Sequence, residues 1–323
     1  MNMSKQLTIQ IVGWNSADVL APGLAALEKI PPEDIDILYL DNGSTDGSLD
    51  LVQQILPLAK TIDFSENIGF ARAHNIGLSQ CQTPFVLIHD PDVAINWQGI
   101  ISLLHLFDDP TIGAIQGKLL RAVKEGTRSI IDSAGIISSS ALNGAERGSN
   151  EIDLNQYKDE APLLATTAAC SLYRLAALQA VAYGPEDFFD NDFFSYKEDV
   201  DLGWRLNNAG WKVLFIPIYT GWHQRTLGRR GAFNWGLNPI SIYQRLRSRR
   251  TYYSVRNWVW MVAKNALVGQ LVIHAIPIGI RVLVLGALSL TYPPLVKVWF
   301  EAITGLPMCL RKRWHKTTGP TIV

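Results

Sequence analysis

The stretch around which the rest of this chain is organised covers residues 193–205 and reads FFSYKEDVDLGWR. Three carboxylates, Glu198, Asp199 and Asp201, fall within four residues and directly precede a helical pattern. Acidic residues at a helix N-terminus are stabilised by the helix dipole, which would explain the cluster without any catalytic role. The alternative is that one carboxylate stays free to accept a proton in an active site. Asp201 and Arg205, four residues apart, are expected to pair on the helix surface.

Upstream of this stretch, short apolar runs alternate with helical patterns. The runs at residues 7–12, 35–40 and 85–89 are typical of buried strands, and a small-residue run at 163–172 predicts another strand. This alternation predicts an α/β fold with a mostly parallel sheet flanked by helices. Because ligands bind such sheets beyond the carboxyl ends of the strands, the polar loops that follow the strands should converge.

Three of these polar loops carry candidate site residues: Trp14-Asn15, Asp41-Asn42-Gly43 and Asp90-Pro91-Asp92. Each also has an ordinary explanation as a tight turn or a helix cap. In the functional interpretation, Asp41 accepts from a nucleobase or ribose, and Asn15 completes the pocket. Two carboxylates one residue apart, Asp90 and Asp92, can hold a hard divalent cation that grips a diphosphate.

Five motifs in a fixed order carry a family resemblance: IVGWN at 11–15, DNGSTDGS at 41–48, ENIGFARAHNIG at 66–77, LIHDPDV at 87–93 and EDVDL at 198–202. Their order and spacing resemble those of the inverting glycosyltransferases of family 2, and in particular the bacterial rhamnosyltransferase-like branch. The resemblance covers residues 7–225. It implies the GT-A fold, a nucleotide-sugar donor and a divalent metal, Mn²⁺ or Mg²⁺.

The resemblance also implies a role for individual residues. The donor nucleotide would be bound by Trp14, Asn15, Asp41, Asn42, Gly43, Arg72, Asn75 and Asp90. Asp92 would be the direct metal ligand, with Asp90 and His223 completing the set. Asp199 would be the catalytic base, and the diphosphate or the acceptor would meet Glu198, Arg225 and Arg229. His223 could instead be a satisfied loop histidine, and the arginines could belong to a solvated basic loop.

The charge of the chain is distributed unevenly. The formal net charge is zero, but residues 1–240 carry 17 basic and 28 acidic residues, whereas residues 241–323 carry 12 basic residues and one acid, Glu301. This shift places a domain boundary near residue 240, between a catalytic domain at 1–240 and a helical extension at 241–323. Three widely spaced cysteines and an N-terminus without a signal-peptide pattern predict a cytoplasmic protein.

The extension at 241–323 combines basic residues, aromatic residues and interrupted apolar runs. Its longest uncharged stretch, residues 265–280, is shorter than the ~18–20 residues that span a bilayer. The composition favours interfacial helices on the anionic cytoplasmic face of the inner membrane. Alternatively, the extension packs on the domain or on a second subunit in a homodimer. No nucleic-acid-binding module accompanies the basic residues, so no nucleic-acid partner is predicted.

The predicted function is therefore metal-dependent, inverting transfer of a single sugar. By resemblance, the best guess for the donor is dTDP-rhamnose, with UDP-sugars next, and the acceptor would be a hydroxyl of a glycan or a lipid-linked glycan. Two other classes of protein compete with this prediction. One is a nucleotidyltransferase, although the Gly-rich basic phosphate loop typical of that class is absent after the first strand. The other is a non-catalytic sugar-nucleotide-binding or glycan-binding module on the same fold.

Overall fold

The computed structural model describes residues 5–121, 128–225, 248–315 and 317–320. Its first half alternates strictly between strand and helix: β1 (Leu7–Gly13), α1 (Ala17–Leu27), β2 (Ile35–Asp41), α2 (Ser48–Ile55), β3 (Lys60–Asp63), α3 (Phe70–Ser79) and β4 (Phe85–His89). The four strands are parallel in the order β3-β2-β1-β4. Gly13 lies opposite Asp41 in the register, so the first two polar loops leave the sheet side by side.

The next part of the chain extends this sheet with strands of mixed direction. Its elements are β5 (Val93–Ile95), α4 (Trp97–Leu104), β6 (Ile112–Arg121), β7 (Ile130–Ser133), β8 (Ile136–Ile137), β9 (Ala145–Glu146), β10 (Ala161–Pro162), β11 (Cys170–Arg174), α5 (Leu175–Val181), α6 (Glu198–Asn208) and β12 (Lys212–His223). Strand β11 lies antiparallel between β4 and β6, and β12 runs parallel to β6. The sheet is therefore parallel in its first half and mixed beyond β4.

The strand predicted at 163–172 begins only at Cys170, so most of that prediction is wrong. The preceding residues form scattered contacts instead of a continuous ladder. The backbone N–H groups of Leu163 and Leu164 donate to the carbonyl oxygens of Val213 in β12 and Ile136 in β8, whereas that of Thr167 donates to Gln116 Oε1 at 2.8 Å. Because the hydrogen-bond partner changes along the run, no regular strand forms before Cys170.

Within the described residues from 248 onwards, the chain forms five helices: α7 (Arg249–Asn265), α8 (Val268–Ile273), α9 (Ala275–Thr291), α10 (Pro294–Thr304) and α11 (Leu306–Arg313). Helix α7 enters the core, where Trp258 and Met261 pack in one cluster with Phe193 and Trp204. Helix α9 packs only one of its faces, through residues such as Ile278 and Leu285. Among the described residues, no helix combines the length and apolar character needed to cross a bilayer.

The ion pair between Asp201 and Arg205 is buried, so the predicted surface location is wrong. Arg205 Nε lies 3.0 Å from Asp201 Oδ2, and the two side chains are 3% and 0% exposed. The other Asp201 oxygen lies 2.8 Å from Lys264 Nζ of α7. The sequence spacing identified the pair, but it could not reveal that α7 covers this face of α6.

Candidate active site

Two carboxylates and a histidine meet where β4 and β12 end. Asp90 and Asp92 follow β4, and His223 is the last residue of β12, where it pairs with Val93 of β5. One ligand atom from each of the three residues lies within 4.8 Å of the other two, and His223 Nε2 is 3.0 Å from Asp92 Oδ1. Carboxylate oxygens suit Mg²⁺ and Mn²⁺, and an imidazole nitrogen favours the transition metal. These residues therefore fit a divalent cation.

Without a cation, Asp90 and His223 have pKa values at or above neutral pH, whereas the pKa of Asp92 lies below its usual value. Burial raises the pKa of Asp90 to about 7, although the neighbouring His223 charge lowers it. Burial lowers the pKa of His223, but hydrogen bonds to Asp132 and Asp92 outweigh it and raise the value to about 9. Because metal ligands must be deprotonated, cation binding is expected to release protons.

A third carboxylate, Asp132 of β7, orients His223 from behind. It is fully buried, and its Oδ2 lies 2.8 Å from His223 Nδ1. Its Oδ1 accepts from Arg121 Nε at 2.9 Å and lies 2.7 Å from Arg225 Nε. Since an ionised carboxylate only accepts, Nδ1 carries the proton and Nε2 faces Asp92. A carboxylate behind a ligating histidine fixes its tautomer and its orientation.

Helix α6 begins with the acidic pair Glu198 and Asp199. Asp199 is partly exposed, and its Oδ1 accepts from the backbone N–H of Val200 at 2.8 Å. Burial raises the pKa of Asp199, although the Lys197 charge opposes the shift. Burial and the Asp199 charge raise the pKa of Glu198 well above its usual value, and its buried Oε2 has no hydrogen-bond partner among the described residues. The backbone N–H of Asp90 donates to the carbonyl oxygen of Ala169 at 2.8 Å, and the preceding residue, Ala168, is a backbone hydrogen-bond partner of the Asp199 carboxylate, so Asp199 lies near the cluster of Asp90, Asp92 and His223.

The segment leading into α6 is strained. Phe194, Tyr196 and Lys197 have φ values of 62°, 69° and 75°, in the left-handed region that side chains disfavour. Asn257 of α7 is fully buried, and its Nδ2 donates to the carbonyl oxygens of Phe193, Ser195 and Tyr196 at 2.9, 3.0 and 2.7 Å. Strain of this kind persists only where surrounding contacts impose it, and it is concentrated at functional sites.

The loops after β1 and β2 form a polar surface at the same edge of the sheet. Asp41 is buried, and its Oδ2 accepts from the backbone N–H of Ser44 at 2.7 Å. The other oxygen, Oδ1, is buried without a hydrogen-bond partner among the described residues. Asn15 Oδ1 accepts from the backbone N–H of Thr45, and Trp14 is 49% exposed. The Asp41 carboxylate also interacts with the Tyr39 hydroxyl of β2, and its predicted contact with a donor nucleotide stays a prediction.

Gly43 is required by the backbone of this loop. Its φ is +75°, and a Cβ there would lie 2.6 Å from the backbone carbon of Glu66. Its neighbour Asn42 accepts at Oδ1 from the backbone N–H of Ile68 and donates to Asn67 Oδ1. These contacts join the loop after β2 to the loop before α3.

Arg72 and Asn75 of α3 have different environments. Arg72 is exposed. Asn75 is fully buried, with its amide bonded to the backbone of Phe189 and to Asn191 Oδ1. These contacts hold the segment upstream of Glu198, so any influence of Asn75 on the donor would act through that segment. Its predicted place along the nucleotide stays a prediction.

Arg225 is fixed by two acids and does not lie in a loosely solvated loop. Its Nη2 donates to Glu146 of β9 at 3.1 Å, and its Nε lies 2.7 Å from Asp132. Arg229 was predicted to meet the diphosphate or the acceptor, and it lies outside the described residues.

Sequence reasoning missed Asp132, Asn257 and Lys197. Asp132 directly follows the apolar residues Ile130 and Ile131. An isolated acid in such a run could have indicated a buried functional carboxylate. Asn257 lies about 60 residues beyond the segment that it holds, so no local pattern relates the two. Lys197 lies in the stretch at 193–205. Its position next to Arg250 and Arg281 depends on how α7 and α9 pack, which the local sequence does not show.

Comparison with protein families gives a match over most of the chain. The model of a family described as "Glycosyltransferase like family 2" matches residues 5–249. An N-acetylglucosaminyl-diphospho-decaprenol L-rhamnosyltransferase of Mycobacterium tuberculosis is 26% identical over 273 residues, which cover 77% of this chain and 86% of the relative. A poly-beta-1,6-N-acetyl-D-glucosamine synthase of Staphylococcus aureus is 23% identical over 219 residues, covering 67% of this chain and 49% of that protein.

Solved structures show the same fold at low sequence identity. GalNAc-T7 with UDP, GalNAc and Mn²⁺ superposes with a TM-score of 0.58 at 14% identity, covering 80% of this chain and 48% of that one. The mannosyltransferase PcManGT from Pyrobaculum calidifontis, in complex with GDP-Man and Mn²⁺, gives a TM-score of 0.50 at 15% identity, covering 96% and 73%. At such identities the likeness establishes the fold alone.

Proposed function

The chain belongs to glycosyltransferase family 2, and on that premise we propose that it transfers a single sugar from a nucleotide-diphosphate donor to a hydroxyl group with inversion. The observation that carries the proposal is the position of Asp199 near the cluster of Asp90, Asp92 and His223. Inverting sugar transfer needs a base that accepts the proton of the acceptor hydroxyl and a cation that stabilises the leaving diphosphate. Asp199 and the cluster would supply these two groups side by side.

The donor would lie across the loops after β1, β2 and β4. The Asp41 carboxylate would accept from the base or ribose, next to Trp14 and Asn15. Asp90, Asp92 and His223 would hold a Mn²⁺ or Mg²⁺ ion, and that ion supplies positive charge to the leaving diphosphate. Arg225 is positioned by Asp132 and Glu146 on the same side of the site.

The acceptor hydroxyl would attack C1 of the sugar from the face opposite the diphosphate. The C1–oxygen bond to the acceptor forms as the bond to the diphosphate breaks, and the hydroxyl proton passes to the Asp199 carboxylate. A raised pKa makes Asp199 a better proton acceptor than an ordinary aspartate. One displacement inverts the anomeric centre, so no protein nucleophile takes part.

The relative that the chain matches over most of both lengths supports a choice of sugar and acceptor. We infer a dTDP-rhamnose donor, a lipid-linked glycan acceptor and a role in cell-surface polysaccharide synthesis. The enzyme would work from the cytoplasmic face of the inner membrane, with residues 1–240 as catalytic domain and 241–323 as an interfacial extension. The poly-beta-1,6-N-acetyl-D-glucosamine synthase shares less of its length with this chain, so single-sugar transfer is the better supported activity.

Calorimetric titration with dTDP, UDP and GDP, each with and without Mn²⁺, tests the donor site. We expect one diphosphate to bind in a metal-dependent manner, and Asp92→Ala to abolish the metal dependence. Asp199→Asn should retain nucleotide binding and lose sugar transfer. Failure of every diphosphate to bind the folded protein would contradict the proposal, and full activity of Asp199→Asn would remove the assigned base.

A further inference from the structure

Three cations gather beside the catalytic acidic pair without carboxylate partners of their own. Lys197 Nζ donates to the carbonyl oxygen of Asn143 at 2.7 Å. Arg281 of α9 lies over the Trp258 ring at 4.7 Å, and Arg250 of α7 lies over the ring of Tyr196, the neighbour of Lys197, at 5.8 Å. Within the described ranges, none of the three is within 4.0 Å of a carboxylate oxygen.

One short loop links these cations. Trp258, on which Arg281 stacks, donates its Nε1 hydrogen to the carbonyl oxygen of Ala141 at 3.0 Å, two residues before Asn143, which Lys197 contacts. His274, at the start of α9, contacts the carbonyl oxygen of Ser140 at 2.8 Å. The loop therefore brings the head of α9 and the entrance to α6 together.

Holding these positive charges near one another costs free energy, and a bound anion would reduce that cost. Arg281 Nε is buried without a hydrogen-bond partner among the described residues. Burial lowers the pKa of Lys197; the Asp199 and Glu146 charges oppose that shift, and the Arg281 and Arg250 charges add to it. Guanidinium and ammonium groups that converge on one place form strong charge-assisted bonds to phosphate oxygens.

An exposed apolar stripe runs along α9 away from this cationic group. Its members recur at helical spacing on the face opposite Ile278 and Leu285: Ile276, Ile280, Leu283, Ala287 and Leu290. Ile276, Leu283 and Leu290 are 76%, 74% and 87% exposed. Helix α10 turns Val296, Phe300 and Ile303 outwards in the same way. A helix that is apolar on both faces is stable at a lipid interface, where its outer face is covered by hydrocarbon.

We propose that Lys197, Arg250 and Arg281 bind the diphosphate of a lipid-linked acceptor, whose hydrocarbon lies in the bilayer contacted by the outer faces of α9 and α10. This inference rests on the proposed function and specifies its acceptor. Lys197 is two residues from Asp199, so a diphosphate held there would leave its attached sugar within reach of the base. The net positive charge of residues 241–323 complements an anionic membrane.

The first test uses the full-length chain and needs no donor. Flotation is measured with vesicles of phosphatidylcholine, the same lipid with undecaprenyl diphosphate, and the same lipid with phosphatidylglycerol at equal charge. We expect binding to undecaprenyl diphosphate vesicles to exceed binding to phosphatidylglycerol vesicles about tenfold. Arg281→Gln and, separately, Lys197→Met should remove that preference. Lys297→Gln, which removes an exposed α10 charge, should keep it.

Several outcomes would overturn the proposal. Equal binding to both kinds of anionic vesicle would show that the surface responds to negative charge in general and does not recognise a diphosphate. Absence of binding to any vesicle would show that the protein does not bind a lipid surface. A dimer in light scattering that Leu283→Glu dissociates would assign the stripe to a second copy of this chain. Arg250→Gln, at an exposed site, replaces Arg281→Gln if that variant does not fold.

A second measurement separates this inference from the proposed function. Titration with dTDP, UDP and GDP tests the assigned donor site without lipid. If the variants lose nucleotide affinity together with lipid preference, the three cations belong to the donor site and the inference fails. If wild type binds no nucleotide but retains the lipid preference, the proposed function fails instead.

Discussion

At the residue scale, the candidate site depends on groups that do not touch substrate. Asp132 accepts from His223 while also contacting Arg121 and Arg225. The histidine ring is therefore held in one tautomer, with Nε2 turned to the two carboxylates that follow β4. A ligand set that is oriented in advance does not have to be reorganised when the cation binds.

Asp132→Asn should weaken Mn²⁺ binding about 10–100-fold, as is usual when the partner of a ligating histidine is altered. The substitution keeps the shape of the side chain but removes the charge that holds the Nδ1 proton. Calorimetric titration with Mn²⁺ measures the loss. Asp36→Asn, at the amino end of β2 in an exposed pair with Lys5, should leave Mn²⁺ affinity unchanged. Unchanged affinity in Asp132→Asn would show that His223 is not a ligand.

The pH dependence of sugar transfer should shift in opposite directions when a positive or a negative charge near Asp199 is removed. A general base must be ionised, so kcat/KM falls as the pH drops through its pKa. Burial raises the pKa of Asp199, Lys197 lowers it and Glu146 raises it. Lys197→Met should therefore move the acidic limb of the kcat/KM profile to higher pH, and Glu146→Gln should move it to lower pH.

The quantity to measure is the pH at which the acidic limb of the kcat/KM profile falls. The maximal kcat/KM is not used, because both substitutions can also change it, through acceptor binding or through the Glu146–Arg225 contact. Limbs that stay in place in both variants, or that move in the same direction, would contradict Asp199 as the titrating base.

At the element scale, α7 holds in place residues 193–197, the segment that leads into Glu198 and Asp199 at the start of α6. Asn257 donates to three carbonyl oxygens of that segment, and Arg256 Nη2 donates to those of Asp192 and Phe193 at 2.9 and 3.1 Å. These contacts impose the left-handed backbone of residues 194, 196 and 197, for which the sequence provides no glycine. The helix therefore determines where Asp199 points.

Asn257→Ala should lower kcat strongly while leaving nucleotide affinity close to wild type, because the donor loops are elsewhere on the sheet. The three carbonyls would lose their donor, at a cost of about 1–3 kcal/mol in the free energy of unfolding. Urea unfolding and steady-state kinetics measure the two effects. Asn208→Ala is the matched control, since its amide also donates from one helix to a carbonyl of another, that of Asn265. An equal loss of kcat in both variants would indicate general destabilisation instead of a positioning role.

Much of the fold was predictable from local pattern, because β1, β2 and β4 are mostly apolar and mostly buried. The predicted runs at 7–12, 35–40 and 85–89 match β1, β2 and β4 to within one residue. The prediction of a strand at 163–172 was mostly wrong because the hydrogen-bond partners there change from Val213 to Ile136 to the Gln116 side chain, all far away in sequence. The site loops were visible as turn-forming polar runs, but the contacts of Asp132 and Asn257 depend on long-range packing.

At the scale of the whole molecule, the helical extension is joined to the catalytic domain by a buried ion network. Lys264 of α7 contacts Asp190 and Asp201, and its side chain and both partners are fully buried. Lys312 of α11 reaches Asp190 at 2.5 Å and Asp192 at 2.8 Å. Because Asp201 belongs to α6, the network links the extension to the helix that carries Asp199.

Lys264→Met should lower the free energy of unfolding by about 3–5 kcal/mol, because it leaves two buried carboxylates without their shared cation. Lys297→Met, which removes an exposed lysine of the same extension, should cost at most about 1 kcal/mol. Urea unfolding followed by tryptophan fluorescence measures both. Equal stability of the two variants would contradict the assignment of the network as the link between extension and domain.

The same network predicts how stability changes with acid. Burial acts to raise the pKa of Asp190, but Lys264 and Lys312 outweigh it and hold the pKa below its usual value. Its contribution to stability is therefore fully present above the unfolded pKa of about 3.9 and is lost as the pH falls through the folded pKa. Asp190→Asn removes this titration, so its stability should fall less steeply than that of wild type as the pH is lowered from 5 to 3. Parallel pH profiles for the two proteins would show that the two lysines do not hold Asp190 ionised in the folded state.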